Sequence, residues 1–124
     1  MNITINTSGI EITGAIRDYA EKKIESLSKF IRTDSNNIIA NIELGQSTKH
    51  HKSGNIFRAE INISFVGKKF RAVSEKEDLY ASIDEARDSI ERELVSHKDK
   101  AQTLFRRGAT SVKKLLKGLS RRKP

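Results

Sequence analysis

The sequence predicts an α+β domain of order β-α-β-β-β-α, a four-stranded mixed sheet with two helices packed on one face. Three observations predict it: two stretches have apolar residues recurring at the helical period, four have apolar residues alternating with polar ones, and the first helical stretch falls between the first and second strands. A helix between two strands permits a parallel, right-handed crossover, whereas strands joined directly pair as antiparallel neighbours.

The first strand spans Asn2 to Thr7, where Ile3 and Ile5 alternate with polar residues, and Ser8 with Gly9 marks a turn. Thr13 is an N-cap by residue type. After it, Ile16, Tyr19, Ala20, Ile24, Leu27, Phe30 and Ile31 share one side at 100° per residue, which predicts a helix of about five turns. A polar break at 33–36 precedes a strand with Ile38, Ala40, Ile42 and Leu44 on one face. A third strand follows with Phe57, Ala59, Ile61, Ile63 and Phe65 inward, and Arg58, Glu60, Asn62 and Ser64 on a face left wet. The connection at 45–55, with Lys49, His50, His51 and Lys52, is long and polar and predicts a flexible loop. Gly67 with Lys68 predicts a tight turn into a last strand over 69–74. Ser74 with Glu77 spells a capping box, and Asp78 offers a second cap. Leu79, Ile83, Ala86, Ile90, Leu94 and His97 then line one side of a helix running to about residue 100.

The 124 residues suffice for one modest domain and a tail, which excludes a large multidomain enzyme. The net charge of +8 is unevenly distributed. All 16 acidic residues lie in the expected domain, 1–100, and are balanced there by an equal number of Lys and Arg. The tail, 101–124, has no acid and carries Arg106, Arg107, Lys113, Lys114, Lys117, Arg121, Arg122 and Lys123. A segment of one charge sign is expected to stay extended when free and to meet a polyanion, with release of counterions from phosphate. Val112, Leu115, Leu116 and Leu119 follow the spacing of one helix face, over a stretch too short for a stable isolated helix, so it is expected to order on a partner.

Little in the chain suggests catalysis. It has no cysteine, which removes disulfides, thiolate metal sites and cysteine nucleophiles. His50 and His51 are neighbours in a polar loop, and His97 falls on the apolar side of a helix, so a solvated loop and a partly buried histidine explain them better than a metal site or a base. No nucleophile elbow, phosphate-binding glycine loop or metalloprotease helix motif occurs. The expectation is a non-enzyme with no cofactor, no metal and no small-molecule substrate. No secretory signal precedes Ile12 and no apolar run approaches a membrane span, so the protein is expected to be cytoplasmic, with no membrane partner. The acids Asp18, Glu21 and Glu25, and likewise Asp84, Asp88 and Glu91, map to solvent-side helix faces. Phe57 and Phe65 map to the core side of the sheet, without the sequence of an RNA-stacking motif.

The basic residues of the helices are more informative. Lys22 and Lys29 lie beside the apolar stripe of the first helix, and Lys23 projects almost into it, where it must snorkel or face another charge. Arg92 and Lys100 fall on one flank of the second helix, with Arg87 and Lys98 on the other, so at least one pair borders a groove between the helices. The candidate binding residues are therefore Lys22, Lys23, Lys29, Arg87, Arg92, Lys98 and Lys100, joined by Arg106, Arg107, Lys113 and Lys114 of the tail.

Three runs resemble a known family: Glu11-Ile12-Thr13 followed by Ala15-Ile16-Arg17, then Asp78-Leu79-Tyr80-Ala81-Ser82-Ile83-Asp84, and His97-Lys98-Asp99-Lys100. Together they are similar to the ribosome hibernation-promoting factor and ribosome-associated inhibitor family over about residues 1–100. The resemblance implies a ribosome hibernation factor that binds the small ribosomal subunit and its ribosomal RNA at the decoding region, the site of mRNA and tRNA, and inhibits translation in idle or stressed cells by occupancy. The family's basic helical positions correspond to Lys23, Arg92, Lys98 and Lys100. Two departures stand out: Ser26 and Ser89 replace lysines common in the family, and 24 residues after Lys100 are too few for the dimerisation domain of long members. The expectation is a short form with a basic tail, monomeric off the ribosome. A general RNA-binding or RNA-chaperone module is the alternative.

Overall fold

The computed structural model describes residues 1–47 and 55–98. Its order is β1 (Asn2–Ser8), α1 (Gly14–Glu25), a 3-10 extension (Ser26–Phe30), a 3-10 turn (Ser35–Asn37), β2 (Ile39–Gln46), β3 (Phe57–Phe65), β4 (Lys68–Lys76) and α2 (79–98). The predicted α+β architecture is therefore present. The chain divides into units Met1–Leu94 and Val95–Pro124, and the sheet and its core belong to the first.

The sheet runs β1-β2-β3-β4. β1 lies parallel to β2, as a helix-linked pair allows, with Ile3 opposite Ala40 and Ile5 opposite Ile42. β2 and β3 are antiparallel, and so are β3 and β4, with Ile42 opposite Ile61 and Ile61 opposite Ala72. Because side chains alternate, these registers gather Ala40, Ile42, Leu44, Ala59, Ile61 and Ile63 on one face. Ala20, Ile24 and Leu27 from the first helical segment, and Leu79, Ile83, Ala86 and Ile90 from α2, complete that core. Each fully buried isoleucine, Ile24 or Ile83 for example, contributes about 2–3 kcal/mol.

Thr13 caps α1 as expected: its Oγ1 accepts the Ile16 N–H at 3.2 Å. The predicted five-turn helix is not uniform, because the chain tightens to 3-10 from Ser26 onward. The Ser26 hydroxyl donates to the Lys23 carbonyl, a local bond that competes with the α ladder.

Two other expectations need correction. Ser74 does not begin a capping box: β4 continues to Lys76 and buries Ser74, and Asp78 takes the role, its Oδ1 accepting the Tyr80 N–H at 3.3 Å. The hairpin turn comes one residue earlier than predicted. Val66 and Gly67 both have positive φ, 49° and 73°, and Phe65 pairs with Lys68. A two-residue turn with both central residues left-handed matches the right-handed twist of the strands, and this one uses a valine where asparagine is favoured.

The face away from the helices is polar but not uniformly wet. Glu60 is buried there, accepting from Arg71 Nη2 at 2.6 Å, Arg58 Nη2 at 2.9 Å and Asn62 Nδ2 at 3.2 Å. The Arg71 hydrogen bond, reinforced by Asn62 and Arg58, holds its carboxyl below the usual range against the opposing effect of burial. The expected flexible loop with His50 and His51, and the tail from 101 onward, lie outside the described residues.

Candidate nucleic-acid interface

The run 78–84 docks α2 and builds one side of the interhelical groove. Asp78 caps the helix, and Leu79 and Ile83 enter the core. Ser82, fully buried, places its Oγ 2.9 Å from the Phe57 carbonyl and so ties α2 to β3. With the helix fixed in this way, Tyr80 and Asp84 face α1. The Tyr19 hydroxyl donates to Asp84 Oδ1 at 2.5 Å, and the Tyr19 and Tyr80 rings meet edge to face with centroids 4.8 Å apart. This hydrogen bond, followed by burial and the Asp84 charge, pushes the Tyr19 pKa up to about 12.

Lys23, expected to need a partner beside the apolar stripe, has two. Its Nζ lies 3.4 Å from Asp84 Oδ1 and 5.5 Å from the centre of the Tyr19 ring. Asp84 is therefore a groove residue, not part of a solvent-side face as predicted: one face of α2 turns it toward α1.

Arg87 is the second link between the helices. Its Nε and Nη2 donate to Ser26 Oγ at 3.1 and 2.9 Å, while Nη1 reaches Asp88 at 3.1 Å and Glu91 at 2.7 Å. Burial works against its charge, but Glu91 and Asp88 outweigh this and raise its pKa. The departure at Ser26 therefore has a structural consequence: the hydroxyl seats an arginine from the other helix.

Tyr19, Lys22, Lys23, Ser26 and Arg87 line an open groove of about 510 Å³. Two of its three cations are paired, Lys23 with Asp84 and Arg87 with Asp88 and Glu91, while Lys22 is exposed, so the groove is not a bare cationic trough. Lys22 on α1 and Lys29 on the 3-10 extension are exposed, with the Lys29 Nζ 5.2 Å from the Phe30 ring centre. Arg92 is exposed on α2 and donates to Ser89 Oγ at 3.1 Å. Lys98, in the second unit, is half-buried at the last described position of the helix. Lys100, Arg106, Arg107, Lys113 and Lys114 lie outside the described residues. The predicted cations Lys22, Lys23 and Arg87 are thus brought to one groove. Sequence reasoning missed Tyr19 and Ser26 as its walls, and Tyr80 as the ring packed against Tyr19; the aromatic wall is signalled by Tyr19 standing one helical turn from Lys23.

Among the described residues, no helix is long and apolar enough to cross a membrane. The profile of the sigma 54 modulation protein / S30EA ribosomal protein family matches residues 3–102. The chain is 34% identical over 101 residues to a ribosome hibernation promoting factor of Azotobacter vinelandii, an alignment covering 81% of this chain and 85% of that one. It is 28% identical to a ribosome hibernation promotion factor of Bacillus subtilis over 96% of this chain, but spans only 60% of that longer protein. The solved N-terminal domain of Thermus thermophilus Protein Y superposes with a TM-score of 0.63 at 36% identity, over 76% of this chain and 96% of that one. With fold, motif and profile in agreement, the chain belongs to the sigma 54 modulation protein / S30EA ribosomal protein family, that of the ribosome hibernation-promoting factors.

Proposed function

We propose that this protein associates with ribosomes and silences translation by binding the small subunit at the decoding region, so that mRNA and tRNA are excluded by occupancy. Its ligand in this reading is structured ribosomal RNA. The single observation that carries the reading is the α1/α2 surface: a pair of helices joined by Tyr19–Asp84 and Arg87–Ser26 exposes Lys22 at the groove and Lys29 and Arg92 elsewhere on the two helical segments, without any base-reading motif. Cations at fixed positions contact phosphates and set register, while the shape of the wedge selects the cavity. Family membership supports the ribosome as the partner.

The basic tail adds sequence-independent affinity in this reading, through Arg106, Arg107, Lys113 and Lys114, and Lys98 and Lys100 are assigned phosphate contacts as well. The decisive experiment is binding of the full chain to vacant small subunits in competition with initiator tRNA and message. Mutual exclusion, with binding that bulk RNA does not compete away, is expected. Simultaneous binding would overturn occupancy of the decoding region, and equal affinity for bulk RNA would favour a general RNA-binding module.

A further inference from the structure

Two of the groove's three cations are already engaged. Lys23 is held by Asp84, and Arg87, with a side chain only 12% exposed, is bonded to Asp88, Glu91 and Ser26. An RNA phosphate reaching either cation must displace a carboxylate, which then recruits a solution cation of its own. Such an exchange releases almost no net counterions, and counterion release is the main source of sequence-independent affinity for RNA.

We infer that Asp84, Asp88 and Glu91 are internal surrogates for phosphate, which hold Lys23 and Arg87 in the free protein and so set its preference for a rigid RNA surface over flexible RNA. This rests on the RNA-binding reading above and assigns the acids a part in specificity. The exchange penalty applies to every RNA. It is offset only where a preformed surface engages Lys22, Lys29 and the groove walls at the same time, so the acids suppress wrong partners more than the right one. Their position supports this role: Glu91 is one turn from Arg87 on the same helix and Asp88 is its neighbour, so the mask is built into α2.

The test uses the full chain and a uridine homopolymer as probe, with affinity measured across salt concentrations. Asp88→Asn with Glu91→Gln removes two carboxylates from Arg87. A charge-matched control, Glu43→Gln with Glu75→Gln, removes the same charge from strands of the sheet. The groove variant is expected to bind the homopolymer several-fold more tightly than the control and to steepen the slope of log affinity against log salt by about 0.7–0.9, one additional phosphate contact. Its preference for small subunits over the homopolymer should fall accordingly. Equal effects from both pairs, or no change from either, would overturn the inference. Failure of the unmodified protein to bind small subunits would instead refute the proposed function, and the homopolymer titration would still judge the mask.

Discussion

Tyr19 and Asp84 are separated by 65 positions and joined by a 2.5 Å hydrogen bond that crosses from α1 to α2. The same carboxylate takes the Lys23 ammonium at 3.4 Å, so one acid orients both an aromatic wall of the groove and one of its cations. The Tyr19 proton is thereby part of the helix–helix contact.

That contact has a pH signature. Because the Tyr19 pKa is raised from 10.0 to about 12, its stabilising effect is fully present below about pH 10 and is lost as pH rises toward 12. Spectrophotometric titration should find the Tyr19 phenol ionising late, and Asp84→Asn should bring it back toward the ordinary value. An unchanged titration in the variant would disconnect the two residues. Tyr19→Phe should lower stability by about 1 kcal/mol in denaturant unfolding.

At the opposite face, Glu60 gives the reverse dependence. Its folded-state pKa is depressed, chiefly by Arg71, so its contribution is present above the ordinary carboxyl range and disappears as pH falls through the folded value. Glu60→Gln should cost about 1–3 kcal/mol at neutral pH, since it leaves Arg58 and Arg71 without their acceptor charge. The gap in melting temperature between variant and parent should narrow on acidification. A constant gap would show that the carboxylate charge is not the stabilising element.

Val66 is a β-branched residue in the left-handed region at φ 49°, with its side chain exposed at the β3–β4 turn. Such strain costs about 1–3 kcal/mol and gains no packing here. Val66→Asn should therefore raise stability by about 1 kcal/mol without altering RNA binding; a destabilised variant would contradict the turn geometry.

Lys22 and Lys29, both exposed, should behave as phosphate contacts. Lys22→Glu with Lys29→Glu should weaken co-sedimentation with small subunits and flatten the salt slope by about 1.4–1.8. The melting temperature should hold within the small range expected of surface substitutions. Retained binding would remove this edge of α1 from the interface.

Arg87 illustrates how the chain's local patterns fall short of the site. Its wheel position beside the groove is legible, but its engagement by Ser26, Asp88 and Glu91 is not, so a cation expected to be bare is held in the free protein by a hydroxyl and two carboxylates. Lys23 was easier to place, because a lysine almost within an apolar stripe requires a charged partner, although nothing local identified that partner as Asp84.

The order of elements, the face each buries, the Thr13 cap and the family are all legible in the amino acids alone, because alternation, helical period and short motifs are written along the chain. Tertiary structure alone decided which residues oppose one another: Tyr19 with Asp84, Arg87 with Ser26, Glu60 with Arg71, and Ser82 with the Phe57 carbonyl. The physical reason is that a period fixes a side chain's angle about its own axis, whereas the azimuth and height at which two helices meet depend on how their cores fill the space above the sheet. The net charge of the groove is set at that meeting and by no residue alone.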